Sequence, residues 1–340
     1  MTRFLLFLAE SGFIPDALIK IAARHISNRR LNEPNIREKK YKTISVLSQG
    51  AIAEKTYDAN EQHYEVPPEF FNCVLGENLK YSCSYFDDVN SLDEAEKSML
   101  NLYIERADIK NGLEVLDLGC GWGSFTLYVA TKYPNTNITS VSNSSDQITF
   151  IKKEAQKRGL SNIMALRMDV NNLDLNKKYD RIVSIEMFEH VRNYKLILKA
   201  LNNVLKPDGR LFIHIFCHKK LTYFYEMKNS FDWMTKYFFQ GGIMPSKDIF
   251  EHFDDDFKIV NQWDINGNHY SKTLKSWLNK HYKNKKKILD IFHGHYDKPK
   301  IWFNRWRIFF LSCEAFFALN NGKEYFVSHY LLKKRDEKNT

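Results

Sequence analysis

The sequence predicts an α/β fold built on a doubly wound, mainly parallel sheet. Between residues 114 and 216, short β-forming runs alternate with helical segments, as a parallel sheet covered by helices requires. The first of these strands ends in a glycine-rich turn, and a helix starts directly after it. Open α/β sheets bind ligands at such turns, because glycine lets the backbone approach a ligand closely.

Seven strands are predicted, and most are continuous apolar runs, as expected when helices cover both faces of a sheet. We place them at Glu114–Leu118, Asn137–Ser142, Ile163–Met168, Arg181–Ile185, Arg210–Phe216, Phe257–Trp263 and Glu324–Leu332. The clearest helices between them are Ser124–Lys132, Asp146–Arg158 and Tyr194–Leu205, and another is expected near Ser246–Phe253. Pro207 and Gly209 are expected to end the third of these helices.

Helices are also predicted at both ends of the chain. Residues 1–50 have helical spacing and include a basic stretch from Arg24 to Lys42, which is either a solvated helix face or a lid or membrane-surface segment. Ser91 and Glu94 form a capping box for a helix through Arg106. Large aromatic side chains between residues 302 and 317 predict a helix buried around most of its circumference.

Composition excludes several classes of protein. The 340 residues are 44% hydrophobic and 27% charged, unlike a disordered, collagen-like or coiled-coil chain. The net charge of +9 favours binding to anionic surfaces such as membrane headgroups or nucleic acid, and it does not distinguish between them. The five cysteines form no Cys-x-x-Cys pair, and the first apolar run is too short for a membrane span. We therefore expect a cytoplasmic protein with reduced thiols.

The glycine turn Glu114-Val-Leu-Asp-Leu-Gly-Cys-Gly-Trp-Gly123 is the strongest motif. It lacks the lysine of a nucleoside triphosphatase loop, so the remaining ligands are a dinucleotide and an adenosyl amino acid. A dinucleotide site usually has an acid at the end of the second strand, and this strand ends without one at Ser142-Asn143. With Asp117 before it, the turn resembles the first motif of class I S-adenosylmethionine-dependent methyltransferases.

Further motifs narrow this resemblance. The segments 63–71, 79–86 and 184–190 resemble the cyclopropane-fatty-acid synthase group. Within that group, the segments 186–190, 214–219, 237–242 and 320–324 are most similar to the plant coclaurine N-methyltransferase subgroup. The resemblance implies a class I methyltransferase, Rossmann-like sheet with one antiparallel edge. It also implies an N-terminal helical cap over residues 1–105 and a core over 106–340, with insertions at about 219–250 and 271–320.

The resemblance also implies which residues hold S-adenosylmethionine. The glycines would face its amino acid part, the N-terminal cap would close over it, and Ser142 and Gln147 would bind the ribose. Asp169 would contact the adenine amino group, or else it is an ordinary loop cap. The full set is Tyr64, Tyr81, Ser82, Asp117, Gly119, Gly121, Gly123, Ser142, Gln147 and Asp169.

Three ionisable residues end the fourth strand: Glu186, Glu189 and His190. In the N-methyltransferases this stretch binds the substrate amine and assists its deprotonation. The chemistry agrees, because only a neutral amine has a lone pair to attack a methyl group on sulfonium, and a carboxylate or imidazole can hold the proton. The bland alternative is a set of helix-capping polar residues.

The cyclopropane synthases use a related pocket differently, with a bound bicarbonate that removes a proton from a carbocation. By resemblance, its ligands would be Cys83, Glu189, His214 and Tyr270, with the backbone near Phe216. These residues are present, so lipid cyclopropanation remains an alternative. Glu186 favours a cationic substrate instead, since the lipid enzymes tend to carry glycine there and a carboxylate is costly beside an acyl chain.

We expect no metal, because His214 and His218 share one face of a strand while Cys217 points to the other. A catalytically silent protein that binds the cofactor or nucleic acid is a third alternative, but no nucleic-acid module is visible. The expected partner is therefore a small-molecule amine. A peripheral membrane contact and a homodimer remain open.

Overall fold

The computed structural model describes residues 2–33, 35–53, 66–227 and 232–335, and its centre is a seven-stranded sheet. In chain order the strands are β1 (Glu114–Leu118), β2 (Asn137–Ser142), β3 (Ile163–Arg167), β4 (Tyr179–Ile185), β5 (Leu205–His218), β6 (Tyr223–Phe224), β7 (Ile243–Met244), β8 (Phe257–Ile265) and β9 (Tyr325–Lys334). The sheet order is β3-β2-β1-β4-β5-β9-β8, and β6 pairs separately with β7. The predicted α/β fold is confirmed, and all seven predicted strands are present.

The helices in chain order are α1 (Thr2–Glu10), α2 (Asp16–Leu31), α3 (Ile36–Val46), α4 (Pro68–Val74), α5 (Leu92–Arg106), α6 (Ser124–Lys132), α7 (Ser145–Lys157), α8 (Tyr194–Val204), α9 (Trp233–Tyr237), α10 (Gly267–Lys283), α11 (Lys285–His293) and α12 (Pro299–Phe317). The predicted capping box is present at α5, where Ser91 and Glu94 bond reciprocally. The helix predicted near 246–253 is wrong in type, because only a 3₁₀ turn forms at Ile249–His252.

The sheet edge beyond β5 is antiparallel, as predicted. Strand β9 pairs antiparallel with both β5 and β8, so the reversed strand is the second from the edge. Pro207 and Gly209 do not simply follow α8, because they lie inside β5, which starts at Leu205. A register shift opposite Tyr179 and Arg181 accommodates this non-pairing stretch of β5.

Helix α12 is buried around its circumference, as predicted, since no side chain from residue 301 to 319 is exposed. The N-terminal helices are fastened to it by ion pairs. Asp16 accepts two bonds from the Arg307 guanidinium, and Glu10 accepts a 3.0 Å bond from Arg305 Nε. Lys20 also donates to Glu314 at 2.6 Å. The N-terminal helices therefore pack on the C-terminal insertion rather than on the sheet alone.

Two N-terminal segments reach the carboxyl end of the sheet. The first segment, residues 47–53, is held there by two backbone hydrogen bonds. The Tyr194 amide donates to the Leu47 carbonyl, and the Arg192 amide donates to the Ile52 carbonyl. The second, residues 79–86, lies against the glycine turn and β4. Among the described residues, no helix is both long and apolar enough to cross a bilayer. The predicted boundary at residue 105, the homodimer and the membrane contact stay predictions.

Candidate active site

The glycine turn after β1 is bent by three left-handed residues. Gly119, Gly121 and Gly123 have φ angles of 79°, 51° and 78°, which side chains rarely adopt. The amides of Gly119 and Cys120 both donate to the Val141 carbonyl on β2, which fixes the turn to the sheet. A Cβ on Gly119 would lie 2.6 Å from the Met187 side chain, whereas one on Gly121 would meet nothing within 4 Å. Gly121 therefore faces open space.

That space is a cleft with two connected lobes. The larger, about 810 Å³ with its open mouth, lies between the glycine turn, the ends of β2 and β4, and Gln240 and Gly241. The smaller, about 560 Å³, extends beneath residues 79–82. Both lobes share Gly119, Gly121, Gln147 and Glu186. A ligand extending from one lobe to the other would thus pass over Gly121.

Gln147 and Ser142 test whether an adenosyl group fits this cleft. Ser142 Oγ accepts from the Ser144 amide and donates to Gln147 Oε1 at 2.7 Å, which orients the amide of Gln147. Gln147 Nε2 is then buried without a partner among the described residues. A buried donor needs an acceptor, and a ribose hydroxyl would supply one. The residues present therefore fit the expected cofactor.

The two aspartates predicted to contact the cofactor, Asp117 and Asp169, form hydrogen bonds with other residues of the protein. Asp117 is buried and accepts from Thr126 Oγ1 at 2.6 Å, and burial raises the pKa of its carboxyl to about 7. Asp169 accepts from the amide and the side chain of Asn171 and so caps a 3₁₀ turn. Its neighbours Met168 and Val170 line the larger lobe. An adenine contact by Asp169 stays a prediction.

The cap residues predicted to close over the cofactor line the smaller lobe. Tyr81 packs against Phe71 and Trp277, with ring centroids 5.0 and 5.4 Å away. Ser82 Oγ accepts a bond from the buried Lys80 ammonium, whose pKa burial lowers to about 8. Tyr64, also predicted here, lies outside the described residues.

Glu186 is the centre of the acceptor side. Its Oε1 accepts from the Cys83 amide at 2.9 Å and from His214 Nε2 at 3.0 Å, and its Oε2 accepts from the Tyr270 hydroxyl at 2.6 Å. Its φ of 48° is left-handed, a conformation that costs a non-glycine residue free energy and is enriched at functional sites. The backbone turn aims the carboxylate between β5 and α10, and the residue also lines both lobes.

The other two acids and bases of this motif lie in the 3₁₀ turn Phe188–His190. Glu189 is fully buried; its Oε1 accepts from the Phe216 amide at 2.8 Å, and its Oε2 has no partner among the described residues. Burial and the charge of Glu186 raise the pKa of Glu189 well above its usual value. His190 lines the larger lobe, and burial lowers its pKa to about 4, so the imidazole is neutral.

The residues expected to hold bicarbonate hold a protein carboxylate instead. The Cys83 amide, His214 and the Tyr270 hydroxyl all donate to Glu186. Glu189 lies next to them through the Phe216 amide. A carboxylate and a bicarbonate present the same pair of acceptor oxygens. The predicted ligands do come together, but the side chain of Glu186 already uses their donors.

Sequence reasoning missed several residues of this site. Lys80 and Tyr103 lie beneath the smaller lobe, and Gln240 closes the larger one. The sequence also did not identify His329, whose Nε2 atom lies 2.9 Å from His214 Nδ1. The available signals were a lysine inside an otherwise apolar and aromatic motif and a histidine inside the apolar run 325–332, but neither indicates which residue it contacts.

The chain is similar to known proteins over most of its length. The mycolic acid cyclopropane synthetase family matches residues 52–324. (S)-coclaurine N-methyltransferase of Thalictrum flavum subsp. glaucum is 42% identical over 341 residues, covering 96% of this chain and 94% of that protein. Pavine N-methyltransferase of the same plant is 38% identical over 290 residues, covering 84% and 82%.

A crystal structure is also similar over nearly the whole chain. Coclaurine N-methyltransferase bound to N-methylheliamine and SAH superposes with a TM-score of 0.93 at 39% identity, covering 98% of this chain and 99% of that one. The resemblance that the motifs predict is therefore confirmed at the level of sequence and of fold.

Proposed function

The chain belongs to the mycolic acid cyclopropane synthetase family and is an S-adenosylmethionine-dependent methyltransferase, and we propose that its acceptor is the nitrogen of a small alkaloid amine. The single observation that carries this proposal is the Glu186 carboxylate at the junction of the two lobes, next to the glycine turn. A buried carboxylate favours a cation beside it, because charge left unpaired in a protein interior is costly.

The cofactor supplies an electrophilic methyl group on a positively charged sulfur. Gly121 leaves the turn open to it, Gln147 Nε2, which has no partner among the described residues, would donate to its ribose, and Tyr81 and Ser82 would close the smaller lobe over its amino acid part. With the cofactor held in this way, its reactive end would lie between the glycine turn and β4, near Glu186. Positioning of this kind supplies a large share of the rate of a transfer reaction.

The acceptor residues divide the handling of charge and proton. Burial raises the pKa of both carboxyl groups, but Glu186 accepts three hydrogen bonds that favour its ionised form, whereas Glu189 accepts one at Oε1 and has a pKa raised well above its usual value. Glu186 is therefore the anion that attracts the ammonium. His190, a neutral imidazole at the cleft wall, has an unprotonated ring nitrogen that can accept the proton, and its pKa of about 4 makes it a weak base. Proton transfer from the ammonium to a neutral imidazole leaves the number of charges unchanged, so the ionised Glu186 carboxylate stays paired with a cation.

Aromatic side chains next to this site suit an alkaloid ring. The Phe239 ring lies 5.1 Å from His190 and 5.6 Å from Phe216, and Gln240 and Gly241 continue it along the larger lobe. Other aromatics of this insertion are core, since Phe238 is fully buried against Phe309 at 4.5 Å. Phe239 can therefore form an aromatic wall beside this site, and a flat or cationic substrate gains from such a wall.

Lipid cyclopropanation receives less support from the same contacts. The donors expected to bind bicarbonate are bonded to Glu186, and an acyl chain would have to pass a buried carboxylate. Both features favour a cationic acceptor over an alkene.

Incubation of the purified protein with methyl-labelled S-adenosylmethionine tests the proposal. Parallel reactions contain a panel of secondary and tertiary alkaloid amines, or vesicles of unsaturated phospholipid with and without bicarbonate. We expect label on amine nitrogen, identified by mass spectrometry, and none in the lipid. Label in acyl chains only, with bicarbonate dependence, would overturn the proposal in favour of the lipid reaction.

A further inference from the structure

A row of hydrogen bonds leads from the end of α5 into the acceptor site. Arg106 Nη1 lies 2.8 Å from His329 Nδ1, His329 Nε2 lies 2.9 Å from His214 Nδ1, and His214 Nε2 lies 3.0 Å from Glu186 Oε1. Both histidines are fully buried, and Arg106 is half-buried with its guanidinium 5.0 Å from the Trp263 ring. A charged group near the surface is therefore linked to the buried carboxylate through two imidazoles.

Strand pairing explains why the two histidines meet. Strands β5 and β9 are antiparallel, and His214 and His329 are directly opposite in their register. Side chains in such pairs are neighbours on one face of a sheet. The Tyr103 ring, on α5, packs 5.4 Å from each imidazole, and its hydroxyl lies 2.9 Å from His214 Nδ1. Helix α5 thus covers the pair and also carries Arg106.

The two ends of the row set the same direction for its bonds, because the Glu186 carboxylate only accepts and the Arg106 guanidinium only donates. The Tyr103 hydroxyl, 2.9 Å from His214 Nδ1, is consistent with an accepting Nδ1. A guanidinium only donates, so His329 Nδ1 accepts. Burial lowers the pKa of both histidines well below the usual value, so each is neutral and has one N–H. His329 must then carry its hydrogen on Nε2 and donate to His214 Nδ1. His214 in turn carries its hydrogen on Nε2 and donates to Glu186.

We propose that Arg106 and His329 are positioning residues, which lock His214 in the tautomer that donates to Glu186 and thereby keep the Glu186 carboxylate ionised and aimed at the acceptor nitrogen. The role assigned to Glu186 rests on the proposed function; the tautomer does not. The row is not a path for protons, because arginine does not give up its proton in proteins. It acts instead as a fixed set of dipoles that stabilises negative charge at Glu186.

A comparison within the site supports this assignment. Glu189 is fully buried and Glu186 is 10% exposed, yet one oxygen of Glu189 has no partner among the described residues. Without the hydrogen bonds that His214 and Tyr270 donate, Glu186 would also have a carboxylate oxygen without a donor. Hydrogen bonds to the charged form of a carboxylate lower its pKa against the effect of burial. The row therefore helps to give Glu186 a lower pKa than Glu189, although the two residues are only three positions apart in the sequence.

Several titratable groups face Glu186, and the test must separate the row from them. They are Lys80 and Cys83 from residues 79–86, Tyr103 on α5, Glu189 and His190 in the 3₁₀ turn, His214 on β5, Tyr270 on α10 and Cys313 on α12. A substitution at Arg106 or His329 leaves these side chains in place, but the charge of Arg106 also lowers the pKa of Tyr103 and of His214. His329→Leu interrupts the row and keeps that charge, so a shift seen in both variants reports on the row.

Nitrogen NMR on the protein labelled with ¹⁵N-histidine tests the tautomer directly, without substrate. We expect His214, assigned by its loss in His214→Gln, to be neutral with its hydrogen on Nε2. The Arg106→Met variant is expected to lose this single tautomer. A His214 hydrogen on Nδ1, or a protonated ring at pH 7, would overturn the proposal even if alkaloid amines are methylated.

Steady-state kinetics test the consequence. His329→Leu and Arg106→Met are expected to lower kcat/KM roughly tenfold, as loss of an outer orienting partner does. They are also expected to move the acid limb of the pH profile upward by about one unit, because the carboxylate loses a charge-stabilising donor. His329→Gln, which keeps a donor near the Nε2 position, is expected to restore most of the activity.

Controls separate the row from general damage. His281→Gln changes another fully buried histidine that lies outside this site. Its Nε2 atom is 3.0 Å from the Phe303 carbonyl oxygen. The substitution is expected to lower thermal stability without moving the acid limb, and all variants are expected to keep cofactor affinity within about twofold by calorimetry. An unshifted acid limb in both Arg106→Met and His329→Leu would overturn the proposal. A correct tautomer with no amine methylated would overturn the proposed function only.

Discussion

The two sides of the cleft are built in different ways. The cofactor side is centred on one short turn, Gly119–Gly123, whose backbone faces the cleft, and Gln147 in the first turn of α7 adds a side-chain donor. On the acceptor side, Glu186 is held by Cys83, His214 and Tyr270, which lie on three separate elements. The cofactor side should therefore be sensitive to backbone shape, and the acceptor side to single charges and hydrogen bonds.

The largest expected effect is on the cofactor side. Gly121→Val is expected to abolish S-adenosylmethionine binding in calorimetry, because the new side chain enters the cleft at a positive φ. Gly159→Val is the matched control, since Gly159 also has a positive φ of 65° and nothing within 4 Å of its Cβ, but lies after α7. Both variants bear similar backbone strain. Equal loss of binding in the two would show that strain, not the cleft, is responsible.

A smaller effect is expected from one charge on the acceptor side. Glu186→Gln keeps the shape of the side chain and is expected to lower kcat/KM roughly a thousandfold, within the range for loss of a group that handles charge and proton. Cofactor affinity is expected to stay within about twofold, because the glycine turn is untouched. An equal loss of cofactor affinity would mean that the two sides are not separate.

The third expected effect concerns the pH dependence of stability. The folded state raises the pKa of Asp117 to about 7, so its protonated form is favoured by folding. Its contribution is therefore present below pH 4 and lost as pH rises from about 4 to 7, by on the order of 4 kcal/mol. Asp117→Asn is expected to remove this part of the pH dependence.

Urea unfolding at pH 5 and pH 8 measures it. Between these values the Asn variant is expected to lose less stability than the unmodified protein. Asp146→Asn, at an exposed position in α7, is the control and is expected to behave like the unmodified protein. An unchanged difference between the two pH values in Asp117→Asn would contradict the assignment of a buried, proton-binding carboxyl.

The same contrast explains what could be predicted from the sequence. The glycine turn and its flanking strand and helix are local, so alternation and spacing place them within a residue or two. The ends of β5 could not be predicted, because Pro207 and Gly209 usually end structure, and only the pairing with β4 shows that the strand continues across them. Local propensity was overridden by the sheet.

The acceptor site was predicted in part. Glu186, Glu189 and His190 lie within five residues of one another and belong to one motif, so the sequence alone identifies them. That the hydrogen bonds expected to hold bicarbonate go to Glu186 depends on distances between residues 83, 186, 214 and 270, which no spacing encodes. His329 reaches His214 only through the register of β5 and β9. Contacts between distant segments are visible only once the sheet is assembled.

Chemical rescue of Glu186→Gly tests most directly the claim that a built-in carboxylate anchors the amine. Glycine suits the φ of 48° and leaves the three donors of Cys83, His214 and Tyr270 around a space of carboxylate size. The account predicts that the variant is nearly inactive on alkaloid amines and that added formate restores methylation in a saturable way. Full activity without any added anion, or none at any formate concentration while cofactor binding is normal, would contradict it.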